Sequence, residues 1–589
     1  MRLINVETLT LEEFMVMSPD SVGYAILSHT WEDGEVTFQD FTSPGSKREG
    51  KKGFGKIMKT CELARRDGIK YAWVDTCCID KTSSAELTEA INSMFHWYRD
   101  ARVCYAWLAD LPAATEESIE SSMSECRWFT RGWTLQELLA PHRVEFYDRD
   151  WDFRGTKSEL KELIAEASQI GIEVLESPER LYKLPIAQRM SWAAKRQTTR
   201  LEDMAYCLIG IFEVNMPMLY GEGQRAFLRL QEEIVKDTND LSIFAWRTAA
   251  KGQKYHGIFA RSPAEFGECG SVRLIDSTVY SPEFSLGNKG LRIQTDLVTG
   301  TGGAHLLKLN CKDGPKGAPI SIWIHHHGGE MYSRSRAHEY GDLSPGDARP
   351  LRKKIICILK QLDALRSEDL EASHRHAFVF RENSNTVGNI RFPECLFEVT
   401  VIEPGWSWDA ARCMLHTQGV DQFNGFAYFT PRYEGAEYQM NKFHMAGEWF
   451  IVAFGRHPGE EKPWITIHGK DDRYGLKLLE VGSTDLQRMG HMARESLGGG
   501  PRSITLKTLE KRPLKTVSVS LNEGTMDGQG VYFIDVDFQT PPAPILVTQK
   551  DLLDWTSPHI DYSQAASYMP SEENSGDEAD VVDFGALFD

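Results

Sequence analysis

The first 150 residues alternate two kinds of apolar pattern. Short runs rich in β-branched and aromatic residues occupy residues 24–28, 71–75, 103–108 and 144–147. Between them, apolar residues recur every three or four positions, as on the buried face of a helix, for example over residues 54–64. Strands that alternate with helices are typical of a parallel sheet covered by helices. The pattern therefore predicts an α/β domain over residues 1–155.

The rest of the chain changes its pattern twice. Helical spacing continues over residues 156–240 and predicts a helical extension. Alternating apolar and polar runs, separated by Gly- and Pro-rich turns, predict a β-rich, sandwich-like domain over residues 241–550. Residues 551–589 hold ten carboxylates and no Lys or Arg, with little apolar surface. We predict that this segment is an acidic, disordered tail.

Composition narrows the classes of protein that the chain can represent. A chain of 589 residues is too long to fold around a single hydrophobic core, so more than one domain is expected. The net charge of −19 argues against a nucleic-acid partner, because such proteins gather Lys and Arg on one face. No apolar run has the length of a membrane span, and the eleven cysteines include no CxxC pair. We expect a cytoplasmic protein with reduced thiols and no membrane span.

Candidate binding residues follow from the expected topology of the first domain. Ligands of open α/β sheets bind at the carboxyl ends of the strands, at the point where the strand order reverses. If the four strands lie in the order 2-1-3-4, this point is between the first and third strands. The side chains expected there are Ser28, His29, Trp31, Asp75 and Asp110.

The segment RGWTLQELL, residues 131–139, predicts a short buried helix that contains one carboxylate. Trp133 lies four residues before Glu137, so the two side chains share a helix face. The carboxylate of Glu137 is then able to face the crevice beside an indole, with Arg131 at the start of the same segment.

Three motifs resemble those of the fungal heterokaryon incompatibility (HET) domain. They are YAILSHTW at residues 24–31, YAWVDTCCID at residues 71–80, and RGWTLQELL. The stretch MLYGEGQRAF at residues 218–227 also looks typical of these proteins. HET domains are similar in fold to Toll/interleukin-1 receptor (TIR) domains, which are flavodoxin-like sheets, and many TIR domains cleave NAD. The resemblance implies a flavodoxin-like (TIR-like) domain, followed by the helical extension, the β-rich domain and the tail.

The resemblance also implies an activity and its residues. The catalytic glutamate of the TIR family lies in a W-x-x-x-E-L pattern, which Trp133, Glu137 and Leu138 match. NAD or a related nucleotide would be the substrate, and no cofactor or metal is expected. The expected substrate-binding residues are Ser28, His29, Trp31, Asp75, Asp110, Arg131 and Trp133. The implied role is nonself recognition and programmed cell death, with self-association and a possible protein partner for the β-rich domain or the tail.

Other interpretations stay open at this point. Glu137 is also explained as a structural residue paired with Arg131 or Arg143. The domain is also explained as a signalling module that assembles without catalysis, or as a sensor that binds a nucleotide without turnover. The run of histidines at residues 325–327, with Glu330, suggests a metal site, but alternate residues of a strand point to opposite faces. We therefore predict no metal site in this run.

Overall fold

The fold is given by a computed structural model of the chain. It describes residues 1–14, 23–43, 48–113, 119–250, 252–275, 283–299, 305–327, 330–342, 349–373, 376–382, 397–404, 407–409, 413–417, 423–431, 449–456, 463–472, 502–507, 513–526 and 529–539. The predicted acidic tail lies outside the described residues. Among the helices in these ranges, none combines the length and the apolar character needed to cross a membrane.

The N-terminal sheet has a parallel centre and antiparallel edges. Its strands are β1 (Arg2–Asn5), β2 (Leu11–Glu13), β3 (Tyr24–His29), β4 (Tyr71–Trp73), β5 (Val103–Trp107), β6 (Val144–Tyr147) and β7 (Phe153–Thr156). They lie in the order β2-β1-β4-β3-β5-β6-β7. Strands β4, β3, β5 and β6 are parallel to their neighbours in that group, whereas β1 and β7 pair antiparallel to β4 and β6. The predicted order 2-1-3-4 of the four parallel strands is confirmed, and the sheet as a whole is mixed.

Seven helices accompany this sheet within the described residues. They are α1 (Phe38–Thr42), α2 (Phe54–Arg66), α3 (Asp75–Cys78), α4 (Ser84–Asp100), α5 (Ile119–Ser122), α6 (Arg127–Thr130) and α7 (Thr134–Leu139). Helix α2 is followed by Gly68 in the left-handed region, with φ of +70°. The hydroxyl of Ser83 accepts a hydrogen bond from the backbone N–H of Glu86 and caps α4. Strand β4 ends at Trp73, earlier than predicted, because Asp75 already begins α3.

The helical extension packs on the sheet domain beside α7. Its helices are α8 (Lys161–Ser168), α9 (Ile172–Glu176), α10 (Ile186–Ser191), α11 (Asp203–Tyr206) and α12 (Arg225–Ile234), with 3-10 turns at Met123–Glu125, Pro178–Lys183, Leu241–Phe244 and Pro263–Phe266 nearby. The backbone N–H of Gly132 donates to the carbonyl of Gln197 at 2.8 Å. A Cβ atom on Gly132 would lie 2.5 Å from Cγ2 of Thr198, so only glycine allows this close approach.

The remainder of the described chain is rich in strands. The first eight are β8 (Tyr255–His256), β9 (Val272–Leu274), β10 (Phe284–Leu286), β11 (Leu291–Thr299), β12 (His305–Asp313), β13 (Pro319–His326), β14 (Met331–Ser335) and β15 (Arg349–Ile358). After helix α13 (Ala364–Ser373) come β16 (Ala377–Glu382), β17 (Phe397–Glu403), β18 (Trp408–Asp409), β19 (Met414–Leu415), β20 (Phe423–Pro431), β21 (Phe450–Arg456), β22 (Trp464–Gly469), β23 (Ser503–Lys507), β24 (Pro513–Met526) and β25 (Gln529–Gln539).

These strands form three sheets. Strands β8–β15 make an eight-stranded sheet, the order β18-β19-β16-β25-β24-β23 makes a six-stranded sheet, and β17-β20-β21-β22 makes a four-stranded sheet. One apolar cluster joins the six-stranded and four-stranded sheets face to face, as in a sandwich. A separate continuous core runs from Leu3 to Ile358 and includes the N-terminal sheet, the helical extension and the eight-stranded sheet. The eight-stranded sheet therefore packs as part of the N-terminal core.

Candidate functional site

A cavity of about 350 Å³ lies at the carboxyl ends of the central parallel strands. His29 ends β3 and Asp75 follows β4, and both line the cavity. Glu137 enters from α7, which follows β5 in the chain. The cavity is therefore located where the strand order reverses, as expected for a ligand site of an open α/β sheet.

Most of the site residues that were predicted from the sequence lie together around this cavity. Six of them line the cavity: His29, Trp31, Asp75, Arg131, Trp133 and Glu137. Ser28 is fully buried behind the wall, where it contacts Glu137. Asp110 is not in the cavity wall; its carboxylate accepts a hydrogen bond from the backbone N–H of Arg127, the first residue of α6, at 2.9 Å.

Glu137 is held by a short chain of hydrogen bonds. The indole N–H of Trp128 donates to Oγ of Ser28 at 2.8 Å, and Ser28 Oγ donates to Oε2 of Glu137 at 2.5 Å. The glutamate is 7% exposed, and no ion pair to it occurs among the described residues. Arg143, one of the two suggested partners, pairs with Glu145 instead. The structure thus orients one carboxylate oxygen and leaves the group in the cavity wall.

Burial raises the pKa of Glu137 to about 7. The charge of Asp75 acts in the same direction, whereas the hydrogen bond from Ser28 and the charge of Arg131 lower the pKa. At neutral pH the carboxyl group is therefore divided between its acid and its ionised form. A group in this condition is suited to accept a proton from a reactant near pH 7.

The pKa of Asp75 is shifted in the opposite direction, downward. Burial tends to raise its pKa, but Lys81, His29 and Arg131 outweigh this effect and hold the pKa well below the usual range. The Asp75 carboxylate accepts from Nε1 of Trp31 at 2.9 Å and lies 3.1 Å from Nε2 of His29. Two carboxyl groups in one cavity thus have pKa values that are far apart, which is a frequent property of functional sites.

The far wall of the cavity comes from the helical extension. Thr199, Arg200, Asp203 and Tyr220 line it, and the Tyr220 hydroxyl donates to Oδ1 of Asp203 at 2.9 Å. The guanidinium carbon of Arg200 lies 4.6 Å from the ring centroid of Tyr220. Sequence reasoning did not nominate these residues. The one available signal was the MLYGEGQRAF stretch, which contains Tyr220.

Lys81 also lines the cavity and was not predicted from the sequence. Its ammonium nitrogen lies 3.6 Å from the centroid of the Trp31 ring and 3.6 Å from Oδ2 of Asp75. Burial lowers the pKa of Lys81, and the charge of Asp75 opposes this effect. One face of Trp31 is therefore covered by a cation, and Trp31 remains 41% exposed.

Two family models match parts of the chain. The family described as heterokaryon incompatibility protein (HET) matches residues 24–122. The chain contains a HET domain. A second family, a domain of unknown function (DUF8212), matches residues 225–266, where α12 and the first turns of the β-rich region lie.

One curated relative is similar to part of the chain. Over 228 residues the chain is 47% identical to vegetative incompatibility protein HET-E-1 of Podospora anserina. This match covers 37% of the chain and 16% of HET-E-1, so the chain corresponds to a small part of that protein. No solved structure matches the chain.

The cavity combines three chemical properties. It has a carboxyl group with a pKa near neutrality, three cationic side chains from Lys81, Arg131 and Arg200, and aromatic rings in its wall. Cations with aromatic rings are suited to a ligand that has both phosphate and a planar ring. Among the described residues, the His, Cys, Asp and Glu side chains of this cavity form no cluster that would hold a metal ion.

Proposed function

We propose that the HET domain hydrolyses NAD at the bond between nicotinamide and ribose, with Glu137 as the catalytic residue. The observation that supports this proposal is a carboxyl group with a pKa of about 7, placed in the cavity at the reversal of strand order. The order of the four parallel strands and the position of the W-x-x-x-E-L pattern also support a TIR-like fold for this domain.

The reaction requires one carboxylate from the protein, which is supplied by Glu137. The bond between N1 of nicotinamide and C1′ of ribose breaks, and its electron pair leaves with nicotinamide, which is neutral without protonation. Positive charge develops on the ribose, and the ionised Glu137 stabilises it. Water then attacks C1′ and transfers a proton to Glu137, giving ADP-ribose. The same carboxylate performs both tasks, so a second catalytic carboxylate is not needed.

The size and charge of the cavity set how NAD would lie. A volume of about 350 Å³ is near the lower end of the roughly 300–1,000 Å³ of small-molecule pockets. We infer that nicotinamide and its ribose occupy the cavity beside Glu137, and that the rest of the dinucleotide extends outward. Lys81, Arg131 and Arg200 are the cations available to the pyrophosphate.

The biological role that we propose is nonself recognition leading to programmed cell death in the cytoplasm. Its support is the HET match and the printed name of the relative, a vegetative incompatibility protein. We further propose that the HET domains self-associate when active, and that the β-rich region or the tail binds a protein partner.

The experiment is an assay of nicotinamide release by the purified full chain, with and without a crowding agent that favours self-association. The informative variant is Glu137→Gln, and the matched control is Glu145→Gln. Glu145 is also a buried glutamate of this sheet, but it lies outside the cavity and pairs with Arg143. We expect release by the wild type and the control, and none by Glu137→Gln. Absence of release by the wild type in both conditions would favour a module that signals by assembly alone.

A further inference from the structure

Three side chains of metal-binding type meet between two sheets of the β-rich region, far along the chain from the HET domain. His326 is the last residue of β13 in the eight-stranded sheet. Asp409 ends β18 and His416 follows β19, in the six-stranded sheet. One ligand atom from each of the three lies within 4.8 Å of the others, and all three residues are buried.

Local structure explains how these residues converge. Strands β18 and β19 form a hairpin in which Asp409 pairs with Met414. The backbone N–H of His416 donates to the carbonyl of Ser407 at 2.9 Å, which continues the hairpin. His416 lies two residues beyond Met414, so Asp409 and His416 are diagonal neighbours on the same face of the hairpin. His326 approaches this face from the eight-stranded sheet. The His326 and His416 rings have centroids 6.3 Å apart.

The histidine run contributes one ligand, in agreement with the alternation of a strand. The His325 side chain lies 3.2 Å from the hydroxyl of Tyr255, whereas the ring of His326 faces Asp409. His325, His327 and Glu330 do not belong to this cluster. The other two ligands are supplied by residues more than eighty positions later.

The spacing of the ligand atoms suits a small divalent ion. Metal–ligand bonds of about 2.0–2.1 Å in a tetrahedral zinc site place ligand atoms roughly 3.4 Å apart. Nδ1 of His326 lies 3.5 Å from Oδ2 of Asp409. The widest separation in the cluster is at most 4.8 Å, so binding requires the side chains to move together by up to about 1.4 Å. Two imidazoles and one carboxylate form a ligand set that zinc and its neighbours in the first transition series accept.

Charge agrees with the same assignment, because a divalent ion would bind the buried carboxylate of Asp409 together with one lone pair from each of the two imidazoles. Because the ligands belong to two different sheets, binding would hold the β18–β19 hairpin against the end of β13.

We propose that His326, Asp409 and His416 bind one divalent transition-metal ion, Zn²⁺ being the best fit, which fastens the six-stranded sheet to the eight-stranded sheet. The site is separate from the cavity of the HET domain and does not depend on the proposed hydrolysis. Its role is structural, so loss of the ion lowers stability without adding or removing a reactive group.

The test uses the full chain, stripped of metal with a chelator and then titrated with Zn²⁺ or Co²⁺. We expect one Zn²⁺ per chain by elemental analysis, a rise in Tm on adding Zn²⁺, and visible absorption bands of Co²⁺ that Zn²⁺ abolishes. Asp409→Asn and His416→Gln should each weaken Zn²⁺ binding by at least roughly 100-fold, the upper range for loss of an outer-shell partner. His325→Gln is the matched control from the same strand and should bind as the wild type does.

Two results would overturn the assignment. The first is a wild-type chain that binds neither ion and melts at the same temperature with and without Zn²⁺, which would leave His326 and Asp409 as a buried ion pair. The second is folded Asp409→Asn and His416→Gln variants that retain wild-type affinity. The Co²⁺ titration of the wild type needs no variant, so it decides the question even if the substitutions prevent folding.

Discussion

Replacing Glu137 with glutamine is expected to stabilise the protein at alkaline pH while it abolishes catalysis. Glutamine has nearly the same shape as glutamate, and its amide oxygen can still accept the hydrogen bond from Ser28. The substitution removes the charge that burial disfavours in this position. A stability gain of this kind indicates a residue kept for function at the expense of stability.

The magnitude follows from the pKa of the glutamate. A rise from the ordinary value of 4.5 to about 7 corresponds to a cost of about 3 kcal/mol when the group is ionised in the folded state. Below pH 4.5 the carboxyl group is protonated in both states, so wild type and Glu137→Gln differ little. As pH rises through 7, the unfolded chain binds fewer protons than the folded chain, and the wild type loses stability. The difference in the free energy of unfolding between Glu137→Gln and the wild type therefore grows between pH 4.5 and about 7 and is constant above that range.

The assay is thermal and urea-induced unfolding of the wild type and Glu137→Gln at pH 5 and at pH 8. We expect a variant that melts several degrees higher than the wild type at pH 8, and a much smaller difference in Tm at pH 5. The control is Glu145→Gln, which should be less stable than the wild type at pH 8, because it loses its pairing with Arg143 and the hydrogen bond from Tyr147. A Glu137→Gln variant that is destabilised at pH 8 to the same degree as Glu145→Gln would refute the reasoning.

Three further substitutions test other parts of the account. Ser28→Ala removes the donor that lowers the pKa of Glu137, so the midpoint of the pH–activity profile should rise by about one pH unit. Trp31→Ala should raise KM for NAD about 10-fold in a steady-state assay and change Tm little, because this ring is 41% exposed. Gly132→Ala should lower the free energy of unfolding by about 1–3 kcal/mol in urea, because the new methyl group meets Thr198 at 2.5 Å.

The parallel strands could be predicted because their signal is local. Each of the four is a short run of mainly apolar and mainly buried residues, and the helices between them show regular spacing. The antiparallel strands β1, β2 and β7, each of three or four residues, were not predicted.

The residues of the candidate site that follow from the topology of the parallel sheet could be predicted. Those that depend on how the helical extension packs on the sheet could not. Topology places His29, Asp75 and Glu137 together, because the carboxyl ends of parallel strands meet at one edge. Arg200 and Tyr220 belong to the extension, and their position depends on its contact with Gly132. No spacing rule connects these distant segments.

The cluster of His326, Asp409 and His416 could not be predicted from the sequence for the same reason. Its members come from two sheets, and the sequence shows only a histidine run in which neighbours face opposite sides. Asp409 and His416 lie seven residues apart in a hairpin that no turn motif predicted. Their convergence is a product of how the two sheets pack.

The clearest test of the proposed hydrolysis is the pH dependence of kcat/KM for nicotinamide release by the purified chain, because kcat/KM reports the ionisation of the free protein. We predict that kcat/KM rises with pH to a plateau with a midpoint near 7, because Glu137 acts in its ionised form. Glu137→Gln should release no nicotinamide at any pH although it remains folded. A wild-type profile that is flat between pH 5 and 9, or a Glu137→Gln variant with the wild-type rate, would contradict the account.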